Sequence, residues 1–234
     1  MLLLFVNIER PPEPLGPLFT IFINFHLIMP GMHGNSLKTL RQDLLTQRMH
    51  FAASRNYAES LNKLTAGLSQ FLEKQNPLCI ALYVPIQNEP DLRPALLSWA
   101  SGHKGRQLAL PYARPDKHLE FYAWEEGDEL ITSKHGVPEP DPSNWQRTQV
   151  IPDCILIPCV GWSQSKADGT AQYWRLGYGG GYFDRTLAQL RKTKPSLLCI
   201  GIGFDWQQLN TAQWQAQIHD EPLDLMLTES ALKS

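Results

Sequence analysis

Apolar residues recur at helical spacing in two stretches that follow residue 35. The stripe of the first stretch consists of Leu37, Leu40, Leu44 and Leu45. The stripe of the second consists of Tyr57, Leu61, Leu64, Leu68 and Leu72. Because apolar residues three or four positions apart share one face of a helix, both stretches are predicted to be amphipathic helices, the first capped by Asn35 or Ser36.

Short apolar runs bounded by turn residues follow these helices and predict strands. The predicted strands are 78–86, 106–113, 118–124, 154–160 and 197–204, with a last apolar segment, "LDLMLT", after a short helix. The further helices predicted between the strands lie at 91–101 and 183–192. Buried strands that alternate with amphipathic helices predict an α/β protein whose mainly parallel sheet is covered on both faces, in a single domain. The polar, Pro-rich stretch 125–149 is typical of a long surface connection.

Composition limits the kinds of partner. The chain has 234 residues and a formal net charge of -2, so no overall field attracts nucleic acid or an anionic membrane. Its four cysteines lie mostly in apolar runs and lack the spacing of a zinc site. We therefore expect buried, reduced thiols and a cytoplasmic protein that binds neither nucleic acid nor membrane.

The first 35 residues differ in character from the rest of the chain. They contain the Pro-rich segment "ERPPEPLGP" and an apolar run that is shorter than the roughly 20 residues a membrane span needs. No basic region precedes the apolar part, which disfavours a signal peptide. We interpret residues 1–35 as a nonessential extension or a mis-chosen start, because Met32 lies just before the first predicted helix, and residues 36–234 as the functional domain. A membrane anchor is the alternative.

The segment "RLGYGGGYFDRTL" (175–187) contains four glycines within five positions. It is not a dinucleotide fingerprint, because the sixth position from Gly177 is Tyr182, and it lacks the Gly-Lys-Ser/Thr of a P-loop. The backbone N–H groups of such a loop and the N-terminus of the following helix suit an anion, to which Arg175 adds a charge. Asp184 then suggests a bridging Mg²⁺. The alternative is a glycine-rich turn in which Asp184 caps the helix.

This glycine segment closely resembles the signature of the 5-formyltetrahydrofolate cyclo-ligase family. Other segments resemble the same family in the same order: "LKTLRQDLLTQR", "YVPIQNEPDLRPALL", "LALPYA", "GVPEP", "DCILIPCVGW" and "HDEPLDLMLTE". The resemblance spans roughly residues 36–230. Several ordered motifs are far more specific than one glycine loop.

The resemblance implies a three-layer α/β/α fold and a reaction that consumes MgATP. In this family 5-formyltetrahydrofolate is converted to 5,10-methenyltetrahydrofolate: the γ-phosphoryl group is placed on the formyl oxygen, and N10 then attacks the activated carbon as phosphate departs. Such a reaction depends on positioning and charge neutralisation, so no protein nucleophile is needed. The implied cofactor is Mg²⁺, the implied substrates are ATP and the folate, and a monomer is expected.

Site residues follow from the resemblance by matching positions. The ATP-binding residues would be Lys38, Arg41, Arg175, Leu176, Gly177, Tyr178, Gly179, Gly180, Gly181, Tyr182 and Phe183. The catalytic residues would be Arg175, Tyr182 and Asp184, and the Mg²⁺ ligands Asp184 and Asp220. Glu89 would hydrogen-bond the adjacent N–H donors of the pterin, with Val84 as its apolar neighbour and Tyr182 beside the reacting groups.

The sequence departs from the family's pattern at three places, one of which is Pro90 after Glu89, a residue that suits a stiff turn. Leu37 stands where the family often has a lysine, so Lys38 is the substitute for that nucleotide contact. The segment 163–174 is longer than the usual connection, and we interpret it as an enlarged surface hairpin.

Alternatives stay open at the level of single residues and of the whole protein. Glu89 could cap the helix that begins near Asp91. Arg41 could be a solvated helix residue, and Asp220 an ordinary loop carboxylate. The whole chain could be a divergent relative that activates another amide-like substrate with ATP, or a non-catalytic binding module on the same fold.

Overall fold

The computed structural model describes residues 37–144, 146–167 and 169–234, so our interpretation of residues 1–35 lies outside the described residues. Within these ranges the helices are α1 (Leu37–Ala52), α2 (Tyr57–Gln75), α3 (Arg93–Ser101) and α4 (Tyr182–Thr193). All four were predicted from the apolar pattern. The short helix predicted after the strand at 197–204 is a single 3₁₀ turn, Asp205–Gln207. None of the described helices is long and apolar enough to cross a bilayer.

Eight strands form the central sheet. In spatial order they are β13 (Leu232–Lys233), β12 (Leu225–Leu227), β10 (Leu198–Ile202), β7 (Cys154–Pro158), β1 (Cys79–Ala81), β2 (Gln107–Ala113), β3 (Leu119–Trp124) and β6 (Gln149–Val150). The five strands from β12 to β2 are parallel to one another, whereas β13, β3 and β6 pair antiparallel at the two edges. The predicted mainly parallel sheet is therefore confirmed.

Helices cover both faces of this sheet. On one face, side chains of β1, β7 and β10 pack with α2 and α3 in a cluster that includes Ile80, Leu156, Ile200, Leu64, Leu68 and Leu96. On the other face, the alternate residues of the same strands pack with α4 in a cluster that includes Ala81, Ile155, Cys199 and Leu187. Successive strand residues point to opposite faces, so strands covered on both sides are apolar throughout, and the three-layer α/β/α arrangement follows.

A second, three-stranded sheet carries the chain into the glycine loop. The hairpin of β8 (Gly161–Ala167) and β9 (Thr170–Leu176) pairs through β8 with β11 (Gln208–Leu209). The hairpin predicted at 163–174 is present, and Gln164, Lys166, Gly169 and Thr170 toward its turn are exposed. Its base is buried: just before the predicted segment, Trp162 is fully buried and donates from Nε1 to the Phe204 carbonyl at 3.0 Å. Leu44 of α1 packs against this sheet.

β1 is shorter than the strand predicted at 78–86. Leu82 N still donates to the Ala109 carbonyl at 2.9 Å, but the chain then leaves the sheet. Pro85 has no N–H for a ladder bond. Tyr83 remains buried beyond the end of the strand, so apolar character alone does not mark where pairing stops.

The stretch 125–149 contains more structure than a surface connection. It forms a small sheet of β4 (Ile131–Thr132) and β5 (Pro138–Glu139) and ends in β6. Glu139 is buried and accepts a hydrogen bond from Ala113 N at 3.1 Å. Because this carboxylate bonds to the end of β2, the polar stretch is attached to the central sheet.

The core contact between α2 and the sheet gives a stability prediction. Leu68 is fully buried, whereas Leu78 is 55% exposed. We expect Leu68→Ala to lower the free energy of unfolding by about 2–5 kcal/mol, because it leaves a cavity, and Leu78→Ala by about 0.5 kcal/mol or less. Urea unfolding followed by circular dichroism measures both. Equal losses in the two variants would contradict this account of the core.

Candidate active site

A cleft of about 840 Å³ opens at the carboxyl ends of the parallel strands. Val84 lies just beyond β1, Ala113 ends β2 and Pro158 ends β7, and all three line the cleft. The glycine loop, 177–181, also lines the cleft. Ligands of open α/β sheets bind at this edge, where connecting loops supply polar groups.

The glycine loop is held by arginines that approach its backbone. Arg41 of α1 donates from Nε to the Gly177 carbonyl at 2.7 Å, so it is not merely a solvated helix residue. Arg185 of α4 donates to the carbonyls of Gly180 and Gly181, each at 3.0 Å. Gly179 has a φ of +98°, and a Cβ there would lie 3.4 Å from the Arg41 guanidinium carbon, so a side chain at this position would be strained.

Asp184 does not cap α4. The N-cap is Gly181, which is in the left-handed region, and no side chain makes a capping bond. Asp184 instead accepts two hydrogen bonds from Arg175, at 3.1 and 3.3 Å, in a pair whose side chains are mostly buried. Arg175 also lies over the Phe183 ring, 5.1 Å from its centre. The pair places one cationic and one anionic group together at the start of α4, beside the glycine loop.

Asp220 lines the same cleft and belongs to a loop that reaches Asp184. Its Oδ2 accepts from Gln217 N at 2.7 Å, and the next residue, Glu221, approaches Asp184 Oδ1 with its N–H at 3.4 Å. Among the described residues no group of three or more His, Cys, Asp or Glu side chains is arranged to hold a metal. Two carboxylates beside a glycine loop nevertheless fit Mg²⁺, which is commonly bound by one or two carboxylates together with substrate phosphates and water.

Glu89 lies in a tight turn, 86–89, and also lines the cleft. Its Oε2 accepts from Ile86 N at 3.0 Å and its Oε1 from the Tyr178 hydroxyl at 2.8 Å. The N-cap of α3 is Leu92, without a side-chain bond, so Glu89 does not cap that helix. Burial raises the pKa of Glu89, and the Ile86 N–H, the Arg48 charge and the Tyr178 hydroxyl act against that rise.

Arg48 is a site residue that the sequence did not single out. It is 1% exposed and donates to the Gln87 carbonyl at 2.9 Å, to the Cys159 carbonyl at 3.2 Å and to the Tyr178 hydroxyl at 2.5 Å. Its Nη2 is also 3.9 Å from Glu89 Oε1. The available signal was its position: Arg48 lies seven residues after Arg41, on the stripe of α1 that contains Leu44.

The remaining predicted residues divide between the cleft and the solvent. Tyr182 lines the cleft, and its hydroxyl lies 3.0 Å from His135 Nε2. The cleft lining also includes the predicted residues Val84, Leu176, Gly177, Tyr178, Gly179, Gly180, Gly181 and Phe183. Lys38 is exposed and lies outside this lining, where its neighbour Leu37 contributes instead, so the nucleotide contact assigned to Lys38 stays a prediction. Glu139, which the sequence did not indicate, lines the cleft beside His135.

The family model and the similar proteins of known function all indicate the same family. The model of the 5-formyltetrahydrofolate cyclo-ligase family matches residues 33–229. The chain is 26% identical over 192 residues to a 5-formyltetrahydrofolate cyclo-ligase of Mycoplasma pneumoniae, covering 81% of this chain and 96% of the relative. It is 31% identical over 168 residues to one of Mycolicibacterium smegmatis, covering 67% and 77%.

Solved structures are similar over the same region. A 5,10-methenyltetrahydrofolate synthetase of Mycoplasma pneumoniae superposes with a TM-score of 0.57 at 26% identity, over 83% of this chain and 99% of that one. The Aquifex aeolicus 5,10-methenyltetrahydrofolate synthetase gives a TM-score of 0.60 at 23% identity, over 83% and 92%, which supports the fold.

The raised pKa of Glu89 predicts a pH-dependent stability. The folded state binds this proton more tightly than the unfolded state, so its contribution is fully present below the ordinary pKa of 4.5 and is lost as the pH rises through the raised value. Glu89→Gln has no carboxyl group at this position, so it cannot lose this pH-dependent contribution to stability. Between about pH 4 and about pH 8, the free energy of unfolding of the wild type should therefore fall relative to that of Glu89→Gln.

Urea unfolding at several pH values measures this difference. Glu73→Gln, at an exposed position of α2, is the matched control and should follow the wild-type curve. Parallel curves for the wild type and Glu89→Gln would show that burial does not raise the pKa of Glu89.

Proposed function

The chain belongs to the 5-formyltetrahydrofolate cyclo-ligase family, a ligase family of folate one-carbon metabolism, and we propose that it uses ATP and Mg²⁺ to convert 5-formyltetrahydrofolate to 5,10-methenyltetrahydrofolate. The formyl oxygen is phosphorylated first. N10 then attacks the activated carbon, the ring closes, and ADP and phosphate are released. The observation that carries the proposal is that an arginine-held glycine loop and a buried carboxylate, Glu89, line the same cleft and are joined by the Tyr178 hydroxyl.

The glycine loop is suited to the phosphates of ATP. Its small residues let a ligand approach the backbone N–H groups, and the N-terminus of α4 adds a partial positive charge. Arg41 and Arg185 already bind carbonyls of the loop, which fixes its shape before the nucleotide arrives. Since phosphoryl transfer is accelerated mainly by positioning and by neutralised charge, a loop that is already ordered is an advantage.

Arg175 and Asp184 have complementary tasks in this proposal. Arg175 provides a planar guanidinium for phosphate oxygens. Asp184 and Asp220 are the carboxylates that would hold Mg²⁺, which when bound neutralises the charge of the phosphates. The Glu221 N–H, close to Asp184, keeps the loop of Asp220 next to α4.

The part of the cleft around Glu89 is suited to the folate. The Glu89 carboxylate can accept hydrogen bonds from adjacent N–H donors of the pterin, since each of its oxygens retains a lone pair beyond the bond that it already accepts. Val84 provides an apolar contact beside it. Tyr182, at the end of the glycine loop, lines the same cleft and has its hydroxyl held by His135.

Covalent catalysis by a cysteine is not part of this proposal. Burial raises the pKa of Cys159 to about 12 and that of Cys79 to about 11, so neither thiol forms a thiolate readily near neutral pH. The chemistry of the proposal needs none, because the substrate's own N10 is the nucleophile. A monomeric, cytoplasmic protein that binds neither nucleic acid nor membrane remains our prediction.

The reaction can be tested directly with purified protein. Mixed with 5-formyltetrahydrofolate, ATP and Mg²⁺, the wild type should form a product with the near-ultraviolet absorbance of the methenyl compound. Omission of either ATP or Mg²⁺ should abolish it. Folded protein that binds ATP but forms no product would reject the folate assignment in favour of another amide-like substrate. Folded protein that binds neither substrate would favour a non-catalytic binding module.

The role of Asp184 has its own variant. Asp184→Asn keeps the shape of the side chain but removes the charge, so we expect kcat to fall by roughly a hundredfold or more. Asp43→Asn, at an exposed position on α1 outside the cleft, makes the same chemical change and should retain wild-type activity. Equal activity of Asp184→Asn and Asp43→Asn would contradict the assignment of Asp184 as a Mg²⁺ ligand.

A further inference from the structure

One buried guanidinium joins three segments of the cleft. Arg48 binds the carbonyl of Gln87 in the turn 86–89, the carbonyl of Cys159 beyond β7, and the hydroxyl of Tyr178 in the glycine loop. Two of these segments, the turn with Glu89 and the glycine loop, would contact ligands in the proposed function. Arg48 itself does not line the cleft, so any effect it has on the substrates acts through its partners.

Tyr178 joins the glycine loop to the turn that carries Glu89. Its hydroxyl accepts from Arg48 and donates to Glu89 Oε1 at 2.8 Å. Its backbone lies between Gly177 and Gly179, in the middle of the loop assigned to the phosphates. A single side chain therefore connects the backbone of the nucleotide loop to the carboxylate assigned to the pterin.

The turn that carries Glu89 needs this support. Gln87 and Asn88 both have positive φ, at 46° and 63°, a region in which residues other than glycine are strained. Arg48 binds the carbonyl of Gln87, within this strained pair, while Tyr178 and Ile86 N fix the two carboxylate oxygens of Glu89. The orientation of Glu89 toward the cleft thus depends on contacts from α1 and from the glycine loop.

We propose that Arg48 and Tyr178 are positioning residues that couple the two substrate sites, so that nucleotide bound at the glycine loop tightens folate binding at Glu89. This inference rests on the proposed function. Bound nucleotide adds contacts to a loop that already has its shape, and so limits the remaining movement of the Tyr178 hydroxyl away from Glu89. Glu89 is then held in its orientation when the folate arrives. Because binding free energies are reciprocal, bound folate must tighten nucleotide binding by the same factor.

Calorimetry can measure the coupling without turnover. The dissociation constant of 5-formyltetrahydrofolate is determined with and without saturating Mg²⁺ and the β,γ-imido analogue of ATP. For the wild type we expect the analogue to lower this constant by about tenfold, within the usual range of coupling between sites. An unchanged folate dissociation constant of the wild type in the presence of the analogue would overturn the inference.

Tyr178→Phe tests the hydroxyl that makes the connection. This variant keeps the ring and removes the bonds to Arg48 and Glu89, so the coupling factor should fall toward one. Tyr122→Phe is the matched control, because the Tyr122 hydroxyl also bonds a glutamate, Glu120, but lies outside the cleft. Its coupling should equal that of the wild type. Wild-type coupling in Tyr178→Phe would reject the role of Tyr178.

A pH profile separates positioning from general support of the fold. The titratable or charged groups that face Glu89 are Arg48 from α1, Tyr83 after β1, Cys159 after β7 and Tyr178 from the glycine loop. Burial raises the pKa of the two tyrosines and of Cys159 from values that are already alkaline, so the acid limb is assigned to Glu89. The Tyr178 hydroxyl favours ionised Glu89, so the acid limb of kcat/KM for the folate should move to higher pH in Tyr178→Phe. An unmoved limb would leave Tyr178 with a structural role alone.

Arg48→Lys extends the test to the guanidinium. A lysine keeps the charge but cannot bond three separate acceptors in a plane, so coupling should also fall in this variant. Because Arg48 is fully buried and its replacement can unfold the protein, the inference is accepted or rejected on the result for Tyr178→Phe. The outcomes are distinct: a wild type without ATP-dependent product rejects the proposed function, whereas an active wild type with unchanged coupling in Tyr178→Phe rejects only this inference.

Discussion

A guanidinium can be buried only where its hydrogen bonds are satisfied inside the protein, and at Arg48 this requirement fixes how the cleft is assembled. Its acceptors come from the end of β7, from the turn 86–89 and from the glycine loop. If any of the three segments moved away, a buried donor would lose its partner at a cost of about 1–3 kcal/mol. The end of β7, the turn 86–89 and the glycine loop are therefore held in fixed positions relative to one another.

α1 holds the glycine loop from two places on one face. Glycines have no side chains with which to pack, so the position of the loop is determined by its neighbours. Arg41 and Arg48, two helical turns apart, bind the Gly177 carbonyl and the Tyr178 hydroxyl. Between them Leu44 packs on the second sheet, whose strand β9 leads directly into the loop. Apolar contact thus places the helix, and its two arginines then place the loop.

Much of this fold could be predicted from the sequence, because α1, α2, β7 and β10 have apolar patterns that only one kind of element satisfies. The glycine segment and its charged neighbours could be predicted as a candidate anion-binding site, because glycines at this density let a ligand approach the backbone. What the sequence does not contain is pairing between distant segments. That Arg48 bonds Tyr178, 130 positions away, follows only from the packing of α1 against the sheet. The same holds for Glu139, whose partner Ala113 lies on another strand.

The Arg175–Asp184 pair has a consequence for how a phosphate ligand can enter. Both side chains are largely buried, so either charge left alone would be poorly solvated. Without ligand, the two groups satisfy each other. In the proposed function each exchanges the other for a ligand group of opposite charge: Arg175 gains a phosphate oxygen and Asp184 gains Mg²⁺. Binding then replaces one set of charge pairs by another and leaves neither residue uncompensated. In the proposed function, this exchange accounts for a carboxylate at the start of α4, beside the loop assigned to the phosphates, although the carboxylate alone would repel a bare phosphate.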